Sequence, residues 1–179
     1  MRGGLVWPPS SAASRTPAEA GVRVRGASQV PKPPDTGPWP SPGYGEWPRR
    51  ELLFAGYAAI FDRADRGGDV VRRGAFAGAG CVPVLWQHRG PAVGVIERVF
   101  EDARGLGVVG RIEDPGLAAM VATGALTGLS VGYRARAVRQ GTYRELIGLD
   151  LHEVSLVAQP MQPLARVTAF EWLKEDETA

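Results

Sequence analysis

From residue 51 onward apolar and polar positions alternate mostly with a period of two, the signature of half-buried strands. "ELLFAGYAAIF" (51–61) is apolar and aromatic enough for one or two strands, and "DRADRGGD" (62–69) has the turn chemistry of a polar loop. "VVRRGAFAGAG" (70–80) reads as a short helix and "VPVLWQH" (82–88) as a compact strand ending at His88. "AVGVIERVF", the turn "EDARG" and "LGVVGRI" compose a β-hairpin. "DPGLAAMVATG" carries the best helical signature, with Asp114 as N-cap, Pro115 at the first helical position and Gly124 past the end. A strand through Ser130 follows, then the turn "RQGTY" and the run "RELIGLDLHEVSLVA". Strict alternation in that run puts Leu149, Leu151, Glu153, Ser155 and Val157 on one face, with Asp150, His152, Val154 and Leu156 on the other. "QPMQP" breaks the sheet, and "LARVTAF" supplies a last strand. Many short strands, two short helices and sequential hairpins predict a mainly β (α+β) fold, an antiparallel barrel-like sheet with a few short helices.

The first 48 residues do not share this pattern. Ten of the 15 prolines fall before Arg49, in stretches such as "VPKPPDTGPWPSPGYGEWP". Proline and glycine at that density sustain neither helix nor sheet hydrogen bonding, so 1–48 is expected to be a disordered or extended arm. The folded domain is expected over 49–170, with a short acidic tail at 171–179. Charge divides at the same place. A sequence pI near 9.0 points towards nucleic acid, yet residues 1–50 hold seven Lys/Arg against three Asp/Glu, and the remainder fourteen against sixteen. The folded part lacks a phosphate-binding balance, so no nucleic-acid partner is expected. No run approaches the roughly 18 apolar residues of a membrane span, and the N-terminus lacks the apolar core of a signal peptide. A soluble, non-secreted protein with no membrane partner is the expectation. The single cysteine, Cys81, excludes an internal disulfide framework.

Candidate chemistry centres on "GALTGLSVGYRA", in which Gly128, Ser130 and Gly132 spell G-x-S-x-G. In the nucleophile elbow of α/β-hydrolases a helix follows that serine, then an acid and a histidine. Here an alternating strand pattern follows, and the elbow reading fails. A serine nucleophile still needs a general base, which itself needs an acceptor to hold its tautomer. The chain has two histidines, His88 and His152. Cys81 stands near His88 in sequence, but no other feature supports a thiol nucleophile. Asp62, Asp65 and Asp69 do not match a calcium-loop spacing, and neither a metal nor a cofactor is expected.

The ordered set "GAF" (74–76), "LWQH" (85–88), "GLSVGY" (128–133) and "HEVSLV" (152–157) resembles the prohead (capsid-maturation) proteases of tailed bacteriophages over residues 52–170. The resemblance implies a serine endopeptidase distantly similar in fold to herpesvirus assembly proteases. It implies Ser130 as nucleophile, His88 as general base and Glu153 as the carboxylate that orients His88. Herpesvirus-type enzymes use a second histidine as third member, which brings in His152. Neighbouring strand residues point to opposite faces, so only one of the two can meet His88. Family position and the better stabilisation of an imidazolium by a carboxylate favour Glu153. Oxyanion donors are expected from the "AQPMQP" loop or from the glycines around Ser130; Pro160 and Pro163 donate none. The implied partner is the major capsid protein with its scaffolding segment, cleaved inside an assembling prohead in the bacterial host cytoplasm, with self-association and self-cleavage left open. Only nine residues follow Phe170, so the scaffold is expected on a separate chain or as an extension of the capsid protein. The competing readings are a non-catalytic docking protein on the same fold and a small esterase.

Overall fold

The computed structural model describes residues 51–173. The proline-rich arm and most of the acidic tail lie outside the described residues. Eight strands and one helix follow in the order β1 (Leu52–Ile60), β2 (Asp69–Val71), β3 (Val82–Trp86), β4 (Arg89–Glu101), β5 (Gly105–Ile112), α1 (Pro115–Ala122), β6 (Gly128–Gln140), β7 (Arg144–Val157) and β8 (Arg166–Trp172). Seven strands close into a ring, β7-β3-β4-β5-β1-β8-β6 and back to β7, while β2 adds to β7 beside β3. Closure leaves the ring without long free edges. The expected barrel is present but mixed, because β2 and β3 both run parallel to β7.

The helix forms as its sequence dictates. Asp114 Oδ1 accepts from Leu117 N at 2.8 Å, Pro115 occupies the first turn, and Gly124 leaves the helix at φ +76. The other expected helix is absent. Residues 70–80 form β2 and then a series of turns, with Gly74 and Gly78 at φ +87 and +84. Its apolar residues serve the core instead: Val70, Ala75 and Phe76 are buried, and the Ala75 carbonyl accepts from Leu149 N at 2.7 Å. Propensity for a short helix lost to these tertiary contacts.

The barrel interior is filled by Leu52, Phe54, Val84, Ile96, Leu106, Val108, Ile112, Leu129, Leu146, Leu149, Val154 and Leu156. Trp86 packs partly buried against this cluster. The strict alternation assigned to β7 does not hold. Gly132 pairs with Glu153 and Tyr133 with Leu151, which leaves His152 as the extra residue of a β-bulge. The bulge resets the faces: Leu149 and Leu151 pack on the core, and so do Val154 and Leu156 beyond it. Glu153 and Ser155 therefore lie on the outer face of the barrel wall, opposite to Val154 and Leu156.

Candidate active site

The β3–β4 connection is a two-residue turn, closed by the pair Trp86 and Arg89. Both central residues, Gln87 (φ 52) and His88 (φ 60), have left-handed backbone, the type I′ pattern of tight hairpins. Neither is glycine, so each conformation costs roughly 1–2 kcal/mol, and non-glycine residues held this way cluster at functional sites. Two bonds to β7 hold the turn. Gln87 N donates to the Leu156 carbonyl at 3.0 Å, and His88 N donates to Ser155 Oγ at 3.0 Å. From this turn the half-exposed imidazole meets the buried carboxylate of Glu153, with Nδ1 2.6 Å from Oε1. The other carboxylate oxygen, Oε2, accepts from the Ser155 hydroxyl at 2.7 Å.

Ser130 lies on β6, directly across the antiparallel ladder from Ser155, and Gly132 lies across from Glu153. Residues two apart on a strand share a face, so Ser130 and Gly132 face the same way as Glu153 and Ser155. A Cβ on Gly132 would stand 2.2 Å from Glu153 Oε1; at Gly128 it would stand 2.3 Å from the Val157 carbonyl oxygen. Close approach is thus the reason for both glycines of G-x-S-x-G, and Gly132 yields its space to the carboxylate. The structure brings His88 and Glu153 into contact, with Ser130 on the adjoining strand. It leaves His152 exposed on the bulge. Strand alternation alone did not single out Ser155, although its position two residues after Glu153 was the available signal.

A cleft opens beside Ser130 where β8 stops short. The last β1–β8 pair is Tyr57 with Arg166, and Gly128 with Arg166 is the β6–β8 pair. Beyond them Ala58, Ile60, Val131, Tyr133, Met161 and Gln162 line the opening together with Ser130. Arg66 N donates to the Met161 carbonyl at 3.0 Å, tying the 62–68 loop to the loop after β7. Burial pushes the Tyr133 phenol pKa up, and the nearby Asp69 carboxylate adds to the shift. The three aspartates of the 62–69 segment are engaged within the chain. Asp62 pairs with Arg72 at 2.6 Å, Asp65 accepts from Gly67 N and Asp69 N, and Asp69 grips Arg144 through both oxygens. No cluster of three or more metal-ligating side chains occurs among the described residues.

A β-barrel that gathers a serine, a histidine and a buried carboxylate on one patch of its wall has the chemical set of a serine hydrolase. The family model described as Caudovirus prohead serine protease matches residues 46–177, and the chain belongs to that family. The family expected from the four motifs is therefore the one found. Solved structures similar to this chain include KSHV protease in complex with a hexapeptide phosphonate inhibitor, at 13% identity and TM-score 0.44, covering 70% of this chain and 66% of that one. Varicella-zoster virus protease follows at 15% identity and TM-score 0.45, covering 68% and 64%, and a further KSHV protease structure at 14% and 0.44, covering 70% and 62%. The chain spans slightly less than two thirds of the length of each. A search of the curated proteins gave no match.

Proposed function

We propose that this chain is a serine endopeptidase of capsid maturation in which Ser130 is the nucleophile, His88 the general base and Glu153 the acid that orients it. The 2.6 Å contact between His88 Nδ1 and Glu153 Oε1, on the strand that carries Ser155 opposite Ser130, is the observation that carries the reading. With Nδ1 occupied by the carboxylate, Nε2 is the nitrogen that takes the Ser130 proton as Oγ attacks the scissile carbonyl. The tetrahedral oxyanion meets backbone N–H groups of the loop after β7, which borders the cleft through Met161 and Gln162. Collapse expels the amine, which receives the proton from the imidazolium. Water, deprotonated by the same nitrogen, then releases the acyl group from Ser130. The substrate is the scaffolding portion of the major capsid protein, met inside the assembling shell; this assignment rests on family membership.

The test is labelling with a serine-reactive phosphonate, mapped by mass spectrometry, alongside co-expression with the capsid protein. Label on Ser130, lost in His88→Ala, together with a shortened capsid N-terminus, is the expected result. Ser130→Ala and His88→Ala each lower processing by on the order of 10³-fold or more. Wild-type cleavage in either variant overturns the assignment, and unlabelled protein that still binds capsid subunits supports a docking protein instead.

A further inference from the structure

Ser155 is fully buried in the wall of the barrel, and its hydroxyl is engaged both as donor and as acceptor. It donates to Glu153 Oε2 at 2.7 Å and accepts from His88 N at 3.0 Å, so one hydroxyl touches both the carboxylate and the backbone of the histidine. The terminal torsion of a glutamate is broad and roughly two-fold, so rotamer preference does not fix the carboxylate plane. Two anchors on different oxygens do. His88 holds Oε1 and Ser155 holds Oε2. The same hydroxyl pins the left-handed turn from which the imidazole projects, a conformation a non-glycine residue keeps only when its surroundings demand it.

We propose that Ser155 is a positioning residue of the catalytic site, a brace that locks the Glu153 carboxylate plane and the His88 turn in mutual register. The inference rests on the triad reading above and adds a fourth member that never touches substrate. Because Ser155 is sealed from solvent, its loss acts on turnover and leaves peptide binding alone.

The experiment compares full-length Ser155→Ala and Ser155→Cys with wild type and with Glu153→Gln, by peptide hydrolysis and by proton NMR of the resting protein. Cysteine is close to serine in volume but a weak hydrogen-bonding partner, so it separates the bonds from the packing. Displacements of about 1 Å near a reacting centre cost on the order of 10²-fold. Both variants are expected to lose about 10- to 100-fold in kcat with KM within about twofold, and to lose the downfield His88 Nδ1 proton resonance of the short bond to Glu153. If Ser155→Ala fails to fold, the folded cysteine variant decides. Wild-type kcat with the resonance intact in the folded variant overturns the proposal, as does a change confined to KM. Should Glu153→Gln itself cleave at the wild-type rate, the triad reading falls, and that outcome is distinct from an active Ser155 variant beside a crippled Glu153→Gln.

Discussion

Adding one methyl group at Gly132 tests whether the glycine after the serine motif exists to make room for a carboxylate. A Cβ there would lie 2.2 Å from Glu153 Oε1 and 2.8 Å from both Cδ and Cγ of that side chain. Ordinary contact between such atoms begins near 3.5 Å, so the carboxylate must retreat by roughly 1 Å. It then gives up hydrogen bonds of 2.6 Å to His88 and 2.7 Å to Ser155, since contacts near 3.6 Å are no longer hydrogen bonds. A misplacement of that size costs about 10²-fold in rate, or about 2.7 kcal/mol of transition-state stabilisation. The upper limit is the loss of the acid altogether, about 3 × 10⁴-fold in the handling of subtilisin's aspartate. Gly132→Ala is therefore expected to reduce kcat/KM by about 10²-fold while the thermal midpoint falls by about 2–12 °C, overpacking at one site being worth about 1–3 kcal/mol. Introducing the same alanine into a Glu153→Ala background supplies the control, because the group it displaces is gone and the two effects must not add. Equal losses in the two backgrounds, or a Gly132→Ala enzyme within twofold of wild type, would refute the reasoning.

Glu153→Gln keeps the shape of the acid and removes its charge, so turnover is expected to be severely slowed but measurable, whereas His152→Gln on the exposed bulge stays near wild type; reversed results in a peptide assay would move the third position to His152. Deleting residues 1–48 should leave a folded, peptide-cleaving enzyme, since the strand ring closes between Leu52 and Trp172; loss of the β-sheet circular dichroism spectrum would contradict this. Tyr57 is buried, and burial first, then its bond to Asp102 at 2.7 Å, holds its phenol pKa far above the usual value. Its folded-state pKa is the higher one, so its stabilising contribution is complete below about pH 10 and declines as pH rises beyond that. Denaturant titrations of Tyr57→Phe should accordingly show a shallower loss of stability between pH 10 and 12 than wild type, and an identical slope would contradict the linkage.

The barrel and its chemistry were legible in the sequence to different depths, and the difference has one physical cause. Local signals act within a few residues. Asp114, Pro115 and Gly124 therefore marked α1 correctly, and the β4–β5 hairpin followed from alternation and its turn. Between 70 and 80 the same local reasoning proposed a helix, but the backbone of Ala75 was claimed by Leu149, 74 positions away. Along β7, period-two counting grouped Leu149 and Leu151 with Glu153 and Ser155, and it had no means of seeing a bulge defined only by pairing with β6. That bulge matters for the site more than any motif. Without the extra residue at His152, the Leu149 and Leu151 face would continue onto Glu153 and Ser155, and a carboxylate would enter the apolar core. With it, the core keeps Val154 and Leu156 while the acid turns outward to His88. Ser130, His88 and Glu153 were named through the resemblance of their motifs to a family, not through any local signal. What joins them, a bulge, a left-handed turn and a buried hydroxyl, exists only once the strands have paired.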